Sequence, residues 1–205
     1  DMFYFGKQAA ISAGAVLLAV MFSLIDYQWL MPLAGVAYVT SLILMILVKT
    51  PLGVEAYGAR RWLQIPGLPQ FQPSEIAKIA VIIFLPYVVV RMGKYAQTGR
   101  AAVTLLVLGG IQALVTLVFT DNLSTAIIIG GIAMGMVFMV YPKKKPFIIG
   151  GGVTGLLVIA GLTYLTYFVD SSENFRIRRI LAWLRPEENL SEGGYQVLQS
   201  LYAIG

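Results

Sequence analysis

No cysteine and no histidine occur in the 205 residues. Their absence excludes a disulfide, a Ser-His-Asp triad, a Cys-His pair and any zinc site made of imidazole or thiolate ligands. Chemistry is left to carboxylates, Lys, Arg, hydroxyls or a bound ligand. Charge is scarce as well, at 12% of residues against 58% apolar, with a mean hydropathy of +0.79. Such a chain cannot close around one water-soluble core without exposing large apolar surface, so it belongs in a bilayer. An initiator Met and a basic cleavable leader are also missing before Asp1, as expected of a piece of a longer protein.

What is abundant is apolar sequence in long runs. A span needs roughly 20 mostly apolar residues at about 1.5 Å rise each. Six runs qualify, at 8–25, 28–48, 75–90, 101–119, 123–141 and 147–169. They are apolar on all faces, which excludes membrane β-strands and predicts an all-α, polytopic helical bundle with six transmembrane helices. Residues 1–169 would form this bundle, and residues 170–205 would open a large outer loop carrying an amphipathic helix. Gly109, Gly110, Gly130, Gly131, Gly135 and Gly150 to Gly152 fall inside the runs, where small residues let helices approach closely in lipid.

Orientation follows from basic residues in short loops. Arg91, Lys94 and Arg100 lie between the third and fourth runs, Lys143 to Lys145 between the fifth and sixth, and both loops fall on one side with the turn at Asp26 and Tyr27. That side is assigned to the cytoplasm. Asp1, residues 49–74, the turn at Asp121 and the C-terminal segment then face outward. A raw count of Lys and Arg points the other way, but it is dominated by long segments, where the rule is weaker. An outward Asp1 also calls for one more span before it if the parent chain starts in the cytoplasm.

The polar residues gather at few places. Residues 49–74, with four prolines, form an outer loop. Within it Arg60 and Arg61 offer planar forks suited to phosphate, and Trp62 offers a ring that favours the headgroup level. An interfacial anchor and an anionic ligand site both fit these residues. The loop ends in Gln72-Pro73-Ser74-Glu75, a helix start with an acid in its first turn. Lys78 follows three residues after Glu75 on the same face, one turn into a span, where charge is costly unless paired or wet. It either bridges to Glu75 or faces a polar cavity open to the outer side.

In the turn 120–126, Asp121 or Asn122 can cap the fifth helix. A substrate or divalent-cation contact at Asp121 is a second reading, although one carboxylate makes a poor metal site. After the sixth run, Ile177, Ile180, Leu181 and Leu184 share one helical face, flanked by Arg176, Arg179 and Trp183, and Pro186 ends the segment. This describes an amphipathic helix on a lipid surface or a phosphate-recognising one.

Five motifs in series resemble one known family. They are Gly-Ala-Arg-Arg-Trp (58–62), Phe-Gln-Pro-Ser-Glu-Ile-Ala-Lys (71–78), Asn-Leu-Ser-Thr-Ala (122–126), Arg-Ile-Arg-Arg-Ile (176–180) and Gly-Tyr-Gln-Val-Leu-Gln-Ser-Leu-Tyr-Ala-Ile-Gly (194–205). In order and spacing they resemble the SEDS proteins of shape, elongation, division and sporulation, the family of FtsW, RodA and SpoVE. The resemblance implies a ten-span glycosyltransferase of the bacterial inner membrane that polymerises lipid II into peptidoglycan strands, with the six runs as its second to seventh spans. It implies a class B penicillin-binding protein as partner, along with other divisome or elongasome membrane proteins, and no nucleic acid.

Carried over by position, Arg60, Arg61 and Trp62 match the outer-loop motif, Glu75 and Lys78 the polar pair facing the central cavity, and Gln196 and Gln199 the start of the long outer loop. Asp121, Asn122, Arg176 and Arg179 are further candidates for substrate contact. The usual Pro-Asp-Leu-Gly-Thr-Ala turn is altered to Asp121-Asn122-Leu123-Ser124-Thr125-Ala126, which looks more like division-type members. The essential aspartate of the family lies in a Thr-Asp-Phe-Ile-Phe-type motif beyond Gly205, so no catalytic residue is assigned here and the piece alone is expected to be inactive. Joining lipid-linked sugars needs a carboxylate to take a proton from the attacking hydroxyl, and cations or a metal to stabilise the leaving diphosphate. Arg60, Arg61 and Lys78 are the candidates for the second task, and a divalent cation stays open. Rival readings are a flippase or other transporter, since intramembrane charges also mark transport paths, and a structural scaffold. No internal repeat supports the transporter.

Overall fold

The computed structural model describes residues 2–56, 59–67, 69–168, 175–187, 190 and 194–204. Asp1, Gly58 and the polar stretch 170–174, on which some of the sequence expectations fall, lie outside the described residues. The chain is almost wholly helical and divides into two units, Asp1–Pro142 and Lys143–Gly205. Among the described residues, five helices are long and apolar enough to cross a membrane. They are α1 (Met2–Ser23), α3 (Pro73–Met92), α4 (Gly99–Thr120), α5 (Leu123–Val140) and α6 (Lys145–Phe168).

The remaining expected span is shorter. Residues 27–33 hold two 3-10 turns, Tyr27–Trp29 and Met31–Leu33, with Pro32 in the first turn of the second, where its missing N–H is tolerated. Helix α2 therefore occupies only Ala34–Leu47, and the apolar helical stretch runs Met31–Leu47.

In the first unit, α2 to α5 pack on one another. Helices α4 and α5 meet across a two-residue turn, and a Cβ placed on Gly109 would overlap the Ala133 side chain, so this glycine sets their separation. Gly110, Gly130, Gly131 and Gly135 face open space, so close packing explains Gly109 and not its neighbours. Polar side chains join α2 to α4. The Tyr38 hydroxyl donates to the Leu108 carbonyl (2.7 Å), Gln112 Nε2 to Ser41 Oγ (2.6 Å) and the Thr116 hydroxyl to Met45 Sδ (3.1 Å). Ser41, Gln112 and Thr116 are fully buried. With no hydrophobic drive between helices in lipid, such bonds and close packing fix the register. Helix α1 buries none of its apolar span within the unit.

Residues 49–74 read as a loop in the sequence, with no strand named there. The segment contains an antiparallel hairpin of β1 (Gly53–Ala56) and β2 (Ala59–Leu63). Leu63 is buried and exchanges backbone hydrogen bonds with Phe71 at 2.8 and 3.1 Å, which ties β2 to the entry of α3.

The second unit holds α6, α7 (Phe175–Leu184) and α8 (Gly194–Ile204). Helix α7 buries Leu181 and Ala182 and half-buries Arg178, while Ile180 and Trp183 are exposed. Ile177 and Leu184, of the apolar face read from the sequence, are half-buried. Just after α7, the Arg185 guanidinium donates to the Thr166 carbonyl of α6.

Candidate functional site

The strand register decides where Arg61 goes. Val54 pairs with Trp62 and Glu55 with Arg60, so β2 carries one extra residue between these pairs, and that residue is Arg61. A bulge of this kind bends the strand and re-aims a side chain. Arg61 is turned to the α4–α5 turn, where its Nη2 donates to the Asp121 carbonyl at 3.0 Å. Its Nε–H is buried and has no acceptor among the described residues.

Asp121 is where several segments meet. It closes α4 in the left-handed conformation (φ 49°, ψ 29°), which frees its carbonyl for Arg61, while its carboxylate binds Lys49 Nζ at 3.2 Å. The end of α2, the hairpin and the α4–α5 turn are thereby held together. Asn122, not Asp121, caps α5, its side-chain oxygen accepting the Thr125 N–H at 3.1 Å.

Helix α3 starts as its sequence predicts, with Pro73 in the first turn and Glu75 just behind it. Gln72 Nε2 donates to Ser74 Oγ at 2.9 Å. Glu75 Oε2 and Lys78 Nζ are 2.8 Å apart, with the Lys78 side chain 25% exposed and that of Glu75 55% exposed.

One end of the first unit therefore carries Lys49, Arg60, Arg61 and Lys78 against Glu55, Glu75 and Asp121. Lys49 and Lys78 each have a carboxylate within 4 Å, whereas Arg60 and Arg61 have none among the described residues. Arg60 is exposed, and Trp62 is half-buried beside it on β2. Two guanidiniums without a carboxylate, one of them held by the Asp121 carbonyl, form a surface suited to an oxyanion such as a phosphate. Among the described residues no group of three or more His, Cys, Asp or Glu converges as a metal site.

The other candidates lie in the second unit. Gln196 and Gln199 are exposed on α8, and Arg179 is exposed on α7. The Arg176 side chain is outside the described part of the structure. Lys49 and the bulge were not anticipated. The signal for the hairpin was present in two short strand-like runs, 53–56 and 59–63, separated by Tyr57-Gly58, but the prolines around them read as loop. The bulge has no sequence signal of its own.

Comparison with known proteins gives a consistent result. The profile of the FtsW, RodA and SpoVE family, described as cell cycle protein, matches residues 1–205. The probable peptidoglycan glycosyltransferase FtsW of Geobacter metallireducens is 34% identical over 210 residues, covering 100% of this chain and 53% of that protein. Stage V sporulation protein E of Bacillus subtilis is 28% identical over 207 residues, covering 100% and 54%. The chain thus spans about half the length of the curated relatives it matches. Among solved structures, a chain of a peptidoglycan synthase complex, described as coordinating polymerization and crosslinking, superposes with a TM-score of 0.66 at 26% identity, covering 96% of this chain and 55% of that one. A variant of the rod shape determining protein RodA of Thermus thermophilus superposes with a TM-score of 0.52 at 26% identity, covering 69% and 46%.

Proposed function

The chain belongs to the FtsW/RodA/SpoVE family of cell cycle proteins, and on that premise we propose that it forms the diphosphate-holding part of a peptidoglycan glycosyltransferase. The substrate is lipid II, polymerised into glycan strands at the outer face of the bacterial inner membrane. The hairpin end of the bundle is the outer end, and Asp1 and the C-terminal segment are extracytoplasmic. A class B penicillin-binding protein is the partner, a reading supported by the likeness to a chain of a peptidoglycan synthase complex. Residues 1–169 supply the bundle, and 170–205 the start of the outer loop.

The reaction joins an attacking sugar hydroxyl to the anomeric carbon of a second lipid-linked sugar. The hydroxyl loses its proton to a base, the new glycosidic bond forms, and the bond from the anomeric carbon to the diphosphate breaks. Charge builds on the departing diphosphate, where preorganised donors act most strongly. Arg61 is the principal donor in this reading, and the observation that carries it is a guanidinium held on the Asp121 carbonyl with no carboxylate within 4 Å among the described residues. Holding Asp121 with one nitrogen fixes the fork, so little rotamer entropy is lost when an oxyanion docks. Arg60 and Lys78 add charge from the hairpin and from α3, Glu75 positions Lys78, and Trp62 walls the sugar or lipid. Gln196 and Gln199 contact substrate from α8. Asp121 acts on substrate only through Arg61 and Lys49. We assign these residues binding and orientation, and none of them the base.

The test is polymer formation from purified lipid II by the full-length protein with its partner. Arg61→Gln should lower the rate about a hundredfold or more, the scale of losing one oxyanion donor. Lys143→Gln, a change of an exposed cation outside the site, should leave it within twofold. Equal effects of the two changes would refute the reading.

A further inference from the structure

A cleft carrying one arginine lies at the other end of the bundle. Helix α3 has 20 residues, so at 1.5 Å per residue it is about 30 Å long, close to the thickness of the hydrocarbon core. Its first turn belongs to the hairpin end, and its last turn, with Arg91, reaches the opposite headgroup level. There a cleft of about 580 Å³ opens between the 3-10 turns before α2 and the end of α3, lined by Gln28, Met31, Pro32, Tyr87, Val90 and Arg91.

The lining is divided by chemistry. Met31, Pro32 and Val90 give apolar walls, while Gln28 and Arg91 supply the polar groups. The Arg91 guanidinium carbon stands 5.8 Å from the centroid of the Tyr87 ring, which orients the fork without neutralising it. Tyr87 is in turn stacked with Phe84 (6.4 Å) and Phe84 with Tyr38 (4.3 Å), so the ring under Arg91 belongs to a packed aromatic row. Arg91 is exposed and has no carboxylate within 4 Å among the described residues. The nearby acid in sequence, Asp26, accepts the Gln28 backbone N–H at 2.9 Å. Trp29, 78% exposed beside the cleft, is a side chain that favours the headgroup level.

A cleft with hydrocarbon walls and an unneutralised guanidinium at headgroup depth cannot stay empty in a bilayer. Acyl chains and glycerol fit the walls, and the phosphate of the same molecule is the anion at hand for the fork. We propose that this cleft is a binding site for an anionic phospholipid, with Arg91 and Gln28 on its headgroup phosphate and Met31, Pro32 and Val90 along its glycerol and upper acyl chains. Lys94, exposed one turn beyond Arg91, adds attraction for negative charge.

The experiment is native mass spectrometry of the purified protein in detergent, titrated with dioleoylphosphatidylglycerol, dioleoylphosphatidylcholine or inorganic phosphate. Phosphatidylglycerol should bind in preference to phosphatidylcholine. Arg91→Gln should weaken it about fivefold, the scale of one basic residue at a lipid surface. Met31→Trp, which fills the cleft without altering charge, should weaken it at least as much, and Lys143→Gln should change it less than twofold. Three outcomes overturn the proposal. They are equal losses from Lys143→Gln and Arg91→Gln, unchanged binding in Met31→Trp, and inorganic phosphate binding as tightly as the lipid.

Discussion

Replacing Lys78 separates the two roles open to it. In the structure it is paired with Glu75 at 2.8 Å, but the Glu75 side chain is 55% exposed and that of Lys78 25%. A pair that wet contributes about 0.2–1 kcal/mol to stability. At about 2–4 °C per kcal/mol for a chain of this size, Lys78→Met should lower the melting midpoint by less than about 4 °C. If Lys78 holds the diphosphate, the same change removes a donor from the leaving group and slows polymerisation by about a hundred- to a thousandfold. That is about 2.7–4 kcal/mol, several times what the ion pair can supply, so loss of the pair cannot account for it. The control is Glu75→Gln combined with Lys78→Met. Removing both partners of a pair is often nearly neutral where removing one is not, so a lysine that only bridges would let the double variant recover. We expect no recovery, with polymer from purified lipid II as the readout and circular dichroism melting as the check on folding. Return of most of the activity in the double variant would refute the ligand role.

Three further outcomes follow from particular contacts. Asn122→Ala removes the cap on α5 and should cost about 0.5–2 kcal/mol, read as a fall in the melting midpoint that Ser at the same position largely avoids. Gly109→Leu should destabilise by about 1–3 kcal/mol because Ala133 occupies the space, whereas Gly110→Leu, which meets nothing within 4 Å, should change the midpoint far less. Single cysteines at Lys94 and Lys144 in a chain that has none of its own should react slowly with an impermeant thiol reagent in intact cells, and rapid labelling would overturn the assigned orientation.

The helices were legible in the sequence because a run of apolar residues long enough to cross hydrocarbon leaves the backbone one way to satisfy its hydrogen bonds. Five of the six expected spans stand as long helices, and the other is shorter, with 3-10 turns in place of its first residues. The start of α3 at Pro73 and Glu75 was readable for the same reason. Family membership was carried by motifs rather than by physics, and the profile match over residues 1–205 agrees with it.

What escaped the sequence is tertiary. A two-stranded hairpin depends on what it packs against, so proline-rich flanks hid it until Leu63 was seen docked on Phe71. The pairing of Lys49 with Asp121 joins residues 72 positions apart and leaves no local trace. Choosing between Asp121 and Asn122 as the cap turned on which residue took the left-handed conformation, and both residue types tolerate it. Among the glycines, only the position of α5 distinguishes Gly109 from Gly110.

The central claim is that the hairpin end of the bundle holds the diphosphate of a lipid-linked sugar through Arg61. A structure of the full-length protein with lipid II bound tests it most directly. The account predicts a diphosphate oxygen within about 3.2 Å of a guanidinium nitrogen of Arg61, the range of an N–H···O hydrogen bond, with the Arg61 to Asp121 contact kept. Diphosphate seated elsewhere, with Arg60, Arg61 and Lys78 all out of reach, would contradict it.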